Sequence, residues 1–185
     1  MVTQELHAPK KLDIACGQSK ATGYKGIDIS GDADITHDLF KFPWPIKKGS
    51  VTDIVCSHFV EHIPHYRPDW NGVDGWWMFF NELGRITKKG ATLAFVHPYV
   101  RNDRAFWDPT HTRYIHEATW YYLDKQWRES QALDHYPVDV DFEVIAIELM
   151  GVSDEISSKS DQAQQYARNH YWNVGGDLRV ILKKR

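Results

Sequence analysis

Within CSHFVEHIPHY, residues 56–66, His58, Glu61 and His62 fall at H-x-x-E-H spacing, and His65 follows closely. On a helix, residues four apart share a face. His58 and His62 would then present two imidazoles to a zinc ion, with Glu61 as a general base. Such a site also needs a further protein ligand and an open position. The context is poor for a long ligand-bearing helix. VTDIVC, residues 51–56, reads as a strand directly ahead, and Pro64 closes the segment soon after His62. A short helical entry capped by Ser57 is expected, with no metal. A zinc hydrolase stays as a minor alternative, and a plain structural role is the default for His65.

Three more residues have types suited to proton transfer. His97 and Tyr99 follow the apolar run ATLAFV, and His111 lies in DPTHTR beside Asp108, Arg113 and Tyr114. Histidine titrates in the useful range, and such a group helps an oxygen or nitrogen nucleophile shed its proton. His111 is the favoured base, with His97 and Tyr99 as further catalytic candidates. The equal alternative is that DPTHTR only shapes the fold by its hydrogen bonds.

A different chemistry is suggested by LDIACGQS, residues 12–19. Small residues at 15, 17 and 19 let a ligand approach the backbone closely. Asp28, near the end of the next apolar run, can accept two hydrogen bonds from ribose hydroxyls. The G-x-G-x-x-G dinucleotide fingerprint is absent, and Asp28 follows Gly17 by 11 residues rather than the ~20 of that motif. The link QSKATGYKG holds barely a turn of helix, so a pyrophosphate lacks its usual helix N-terminus. A nucleoside without phosphates fits better.

These groups must be positioned by secondary structure. Strands are expected at Lys11–Ala15, Lys25–Ile29, Ala33–Thr36, Val51–Cys56, Ala91–Val96, Phe142–Leu149 and Asp177–Lys183. Helices are expected over Asp74–Lys88, Glu117–Arg128 and Asp161–Asn169. In the first, Trp77, Phe80, Leu83 and Ile86 form the apolar face and Lys88-Lys89-Gly90 the C-terminal cap. Strands alternating with helices predict an α/β, Rossmann-like single domain. It should have a mostly parallel sheet, an antiparallel C-terminal strand and helices on both faces. One domain spans 1–185, with residues 98–130 as an aromatic-rich insertion or cap.

Composition narrows the classes. The chain has 185 residues, 25% charged and 42% hydrophobic, a normal globular balance. The net charge of -3 gives no clear nucleic-acid footprint. The two cysteines, Cys16 and Cys56, suggest no disulfide framework, so a reducing, cytoplasmic setting is expected. No apolar run approaches a membrane span, and MVTQELHAPKK has no apolar core of a signal peptide.

Taken in order, LDIACGQSK, YKGIDIS, ADITHDLFKFPWP, VTDIVCSHFVEHI and NELGRITKKGATLAFV resemble the class I S-adenosylmethionine-dependent methyltransferases. The likeness is strongest to a small branch with an L-D-x-x-C-G first motif, and it covers residues 11 to about 97. It implies S-adenosylmethionine as cofactor and transfer of a methyl group to an O or N acceptor on a small molecule, sugar or modified base. It implies that Asp13, Ala15, Cys16 and Gly17 contact the amino-acid end of the cofactor. Asp28, with Ile29 beside it, would hold the ribose. Asp38 and the Leu39 backbone would meet the adenine edge. Ser57 and His58 would lie beside the sulfonium, and Arg85–Gly90 would form a structural turn. Ala15, Ser19 and Ala91 stand where family members usually carry Gly, and Lys89 where they carry Pro. Ala15 and Ser19 leave open a degenerate cofactor-binding module with a regulatory role.

Overall fold

Leu12 and Ile14 of β1 (Lys11–Ile14) are fully buried in one face of a sheet, and Asp13 between them points to the other. Six further strands follow, β2 (Lys25–Asp28), β3 (Ile35–Thr36), β4 (Val51–Ser57), β5 (Thr87–Pro98), β6 (Phe142–Met150) and β7 (Asp177–Lys184). In this computed structural model, which describes residues 6–185, the seven strands form one sheet in the order β3-β2-β1-β4-β5-β7-β6. Residues 1–5, the start of MVTQELHAPKK, lie outside the described residues. Strands β1 to β5 pair in parallel, and β7 runs antiparallel to both β5 and β6. This is the expected mostly parallel sheet with a reversed last strand.

The strand order turns back at β1. β2 and β3 lie to one side of it and β4 to the other, with Asp13 opposite Gly26 and Val55. Ligands of open α/β sheets sit beyond the carboxyl ends of strands at such a switch point.

Helix α1 (Gly75–Ile86) starts where the Asp74 carboxylate accepts a hydrogen bond from Trp76 N at 2.7 Å. Its buried stripe is Trp76, Phe79, Phe80, Leu83 and Ile86. This differs from the expected stripe: Trp77 drops out, and Trp76 and Phe79 join. Trp76 enters the core, while Trp77 lies on the flank against Tyr136. A strict three-residue repeat winds around a 3.6-residue helix, so Trp77 drifts off the face that Ile86 occupies.

The expected cap Lys88-Lys89-Gly90 belongs instead to β5, which begins at Thr87. The Thr87 hydroxyl donates to Leu83 O at 2.6 Å and ends the helix there. Gly90, at φ +81, sits where the β4–β5 pairing changes register. The expected helix over Glu117–Arg128 is two pieces, a 3-10 segment Glu117–Leu123 and α3 (Lys125–Ser130). Asp124 divides them. Its carboxylate accepts from Gln126 N and Trp127 N and restarts the chain as an N-cap. Short helices α2 (Arg104–Trp107) and α4 (Asp154–Ser157), with α5 (Asp161–His170), complete the set.

One face of the sheet packs against α1 and an aromatic layer. Trp120, with no exposed surface, lies between Trp76, Phe80, Phe95 and His97, with ring centroids 5.0–5.8 Å away. Its indole N–H donates to His97 Nε2 at 3.2 Å. The expected helical cover of the second face has no contribution from the β1–β2, β2–β3 or β3–β4 connections, which contain no helix. Residues 15–24 are too few to cross back over a strand as a helix. On that face Val55, Ala94, Val96 and Ile181 stay only half-buried.

Candidate functional site

The β1–β2 connection is held by two acids. Asp13 Oδ2 accepts from Ala21 N at 2.7 Å. Asp28 Oδ2 accepts from Gly17 N at 3.0 Å, and its Oδ1 accepts from Ser30 N at 2.8 Å. Burial raises the Asp13 pKa, with the nearby Asp28 charge adding to it and the Ala21 N–H opposing. Asp28 is thus a clamp on the turn as well as a free-edged carboxylate, because each oxygen has a second lone pair.

Ala15 (φ +55) and His58 (φ +52) both adopt the left-handed region, each just past a strand end. β1 and β4 are neighbours, with Ile14 opposite Cys56, so the two strained residues flank one spot. A left-handed non-glycine residue costs about 1–2 kcal/mol, and such strain clusters at functional sites. The departure from Gly at position 15 therefore falls where a glycine would be unstrained.

Between these ends lies a cavity of about 490 Å³ whose lining includes Asp13, Ala15, Cys16, Ser57, Val96 and Arg179. That volume falls within the ~300–1,000 Å³ usual for small-molecule sites. Of the sequence-named cofactor set, Asp13, Ala15, Cys16 and Ser57 meet at this cavity. Gly17 and Asp28 adjoin it through the hydrogen bond between them. Ile29, Asp38, Leu39 and His58 lie outside its lining. Ile29 is 72% exposed at the end of β2, an apolar side chain without cover. Asp38 Oδ1 accepts from Phe40 N at 2.9 Å, and Leu39 is buried with its carbonyl taken by Trp44 Nε1 at 3.0 Å. Val96 and Arg179 were not anticipated. The alternation in DLRVILK sets Arg179 opposite Leu178 and Val180, but only the β5–β7 pairing brings it to the cavity.

The catalytic candidates separate. His97 is fully buried. Its Nδ1 lies 2.9 Å from Pro98 O and its Nε2 accepts from Trp120, so both nitrogens are engaged within the core. Burial lowers its pKa. Tyr99 is also buried, and its pKa is pushed up to about 12 by burial first and then by Glu117, so it stays a neutral phenol. Of the three candidates, only His111 keeps a ring nitrogen without a hydrogen bond. Its Nδ1 pairs with Ala105 O at 2.9 Å, and Asp108 Oδ2 stands 4.0 Å from Nε2.

The low pKa of His97 has a testable consequence. Below about pH 6.5 the unfolded chain binds a proton that the buried ring refuses, so this contribution to stability falls as pH falls. His97→Gln keeps an acceptor for Trp120 and a donor for Pro98 O. Melting curves from pH 6.5 to 5 should therefore be flatter for H97Q than for the parent. Parallel curves would mean that the ring titrates freely.

The histidine segment does not form the helix face that zinc spacing requires. Only a 3-10 turn, Val60–His62, follows β4. His58 turns back toward Glu61, with Nδ1 at 3.4 Å from Oε1 but misaligned for a hydrogen bond. The Glu61 carboxylate is the main cause raising the His58 pKa. DPTHTR lies directly over this turn. Thr112 N and Arg113 N donate to Glu61 O at 2.9 and 3.1 Å. The Arg113 guanidinium donates to Ile63 O, Pro64 O and Asp74 Oδ1 at 2.6, 3.0 and 2.6 Å. Arg113 thus fastens the loop, and Tyr114 stacks on Phe106 with centroids 4.5 Å apart.

The chain matches no protein-family model and no curated protein sequence. It is similar in structure to several solved proteins. A SAM-dependent methyltransferase from Archaeoglobus fulgidus superposes with a TM-score of 0.62 at 17% identity, over 98% of this chain and 88% of that one. SAM-dependent methyltransferases from Methanosarcina mazei give 0.54 at 16%, over 97% and 94%. Geranyl diphosphate C-methyltransferase from Streptomyces coelicolor A3(2), solved with Mg2+, geranyl diphosphate and S-adenosyl-L-homocysteine, gives 0.52 at 12%, over 100% and 76%. The fold is that of the Rossmann-like methyltransferases. Among the described residues no helix is long and apolar enough to cross a membrane.

Proposed function

We propose that this protein is an S-adenosylmethionine-dependent methyltransferase acting on an O or N acceptor of a small molecule, sugar or modified base. The observation that carries this reading is the clamped turn Asp13–Gly17 and Asp28 at the switch point of this fold, opening onto a cavity of ligand size. Asp13 and the backbone of Ala15–Gly17 take the amino-acid end. Asp28 takes the ribose hydroxyls, and the uncovered Ile29 offers an apolar surface to the base. Asp38 and Leu39 lie further along the same edge, toward adenine. Ser57 and His58 flank the sulfonium.

The chemistry asks mainly for alignment. A lone pair on the acceptor attacks the methyl carbon, and the carbon–sulfur bond breaks with its electron pair going to sulfur. A neutral thioether leaves, and the acceptor passes its proton to a base. His111 Nε2 is the proton acceptor that the hydrogen bonding leaves open. Residues 98–130 form the acceptor side in this reading. There the half-exposed Phe106 and Tyr114 and the 73%-exposed Trp107 offer rings to a planar or sugar-like acceptor. The two free, buried cysteines suit a reducing, cytoplasmic setting.

Thermal melting tests the reading. S-adenosylmethionine or its demethylated product at a hundred times its dissociation constant should add about 2.7 kcal/mol, roughly 5–10 °C for a chain of this size. NAD should add nothing. A chain that responds to neither sulfur nucleoside is not a methyltransferase of this kind. Binding without turnover across an acceptor panel would point to the regulatory module.

A further inference from the structure

We infer that Glu61, His62 and His111 form a binding site for a zinc-type divalent cation at the carboxyl edge of the sheet. One donor atom from each lies within 4.8 Å of the others, although His111 is 49 residues beyond His62 in the chain. A tetrahedral site with bonds of ~2.05 Å has edges of about 3.3 Å, so side-chain rotations close the remaining distance.

The hydrogen bonds prepare both rings. Thr110 Oγ1 donates its proton to Asp108 Oδ1 at 2.6 Å, so toward His62 Nδ1, at 3.0 Å, it acts as acceptor. His62 Nδ1 therefore carries the ring proton, and Nε2 keeps a lone pair. The partner of His111 Nδ1 is the Ala105 carbonyl, which can only accept, so His111 Nε2 also keeps a lone pair. A ring N–H held by a backbone carbonyl, as in His111, is a usual support of a metal-binding imidazole, and the Thr110 hydroxyl holds His62 in the same sense. The rings meet edge-on with centroids 4.8 Å apart.

Glu61 supplies the independent observation. Its side chain is only 2% exposed, yet neither carboxylate oxygen has a hydrogen-bond partner. A buried carboxylate without partners is costly unless a positive charge meets it. His58, at 3.4 Å and misaligned, meets one oxygen only in part. A divalent cation held by this carboxylate and two neutral imidazoles meets the rest. Three protein ligands leave a position open, as in zinc sites that act on a bound oxygen. The set differs from the H-x-x-E-H one, because His111 takes the place of His58 and Glu61 is a ligand, not the base.

The use of that position rests on the methyltransferase reading. With the His111 Nε2 lone pair on the cation, His111 no longer takes the proton directly; the cation would instead bind the acceptor oxygen and lower its pKa, the proton going to solvent.

The test measures Zn2+ affinity by competition with a chromogenic chelator, using protein first stripped of metal. The parent should bind one equivalent. Glu61→Gln and His111→Gln should each weaken binding by at least about 100-fold, beyond the upper end of losses seen for supporting residues. His135→Gln, outside the cluster, should not. Metal-free E61Q should melt close to the parent, since no hydrogen bond is lost and the His58 contact that goes is misaligned and partly exposed. Failure to bind one equivalent, or affinity unchanged in H111Q, overturns the site. So does an E61Q that melts lower yet binds Zn2+ as the parent does, which would make Glu61 a fold residue. S-adenosylmethionine melting shifts on the same metal-free samples keep the two readings apart. A shift without zinc binding removes only the metal, and zinc binding without a shift removes only the methyl donor.

Discussion

Asp28→Ala is expected to abolish the melting response to S-adenosylmethionine and to lower the stability of the free protein by about 3 kcal/mol. The two effects have separate origins. In the free protein, Gly17 N and Ser30 N both lose a charged acceptor. Hydrogen bonds to charged groups contribute about 1.5–3 kcal/mol each, and Asp28 is only half-buried, which places the total near the low end. In the complex, the ribose hydroxyls lose their carboxylate and the turn that presents Gly17 loses its clamp. Asp28→Asn separates these effects. Its amide oxygen still accepts from one backbone N–H, so stability should fall less while cofactor affinity still drops by tenfold or more. Titration calorimetry on both variants reads the affinities. An Asp28→Ala protein that binds S-adenosylmethionine like the parent removes the ribose role and weakens the site reading.

Trp120→Ala is expected to cost about 3–5 kcal/mol, the range for deleting a large buried aromatic. The side chain has no exposed surface and touches α1, β5 and His97 at once. Its loss opens a cavity between rings that hold one another and cannot easily collapse. It also strips His97 Nε2 of its donor in a site closed to water. Trp120→Phe keeps one aromatic ring and loses the N–H with part of the indole volume, so it should cost less, roughly 1–3 kcal/mol. Urea unfolding of both variants measures the difference. A cost below about 1 kcal/mol for Trp120→Ala would show that the aromatic layer repacks, and that Trp120 does not tie α1 to the sheet.

Much of the first half was legible because its signals are local. An apolar run, a small-residue turn and an acid at a set distance describe β1, the Asp13–Gly17 turn and Asp28 without long-range contacts. The reversed last strand was legible from the long polar link ahead of it. Trp76 was missed because three-residue spacing and true helical period diverge over three turns. The break in the expected helix over Glu117–Arg128 was missed because Asp124 fits a helical pattern in letters. In space, its carboxylate prefers the free N–H groups of the next turn. His97 was chosen as a catalytic candidate because it ends a strand at the ligand edge. Side-chain direction decides otherwise, since it shares the buried face of Phe95.

By itself the sequence determined the α/β class, a largely parallel sheet and the acids of the first two strand ends, since each follows from periodicity and turn chemistry within about thirty residues. Tertiary structure alone decided which histidines meet. His58, Glu61 and His62 are neighbours in the chain, but a left-handed residue and a single 3-10 turn deny them a common helix face. His111 reaches them because the DPTHTR backbone pairs with the Glu61 carbonyl. No spacing rule encodes that contact, because it depends on how a loop folds over a strand end.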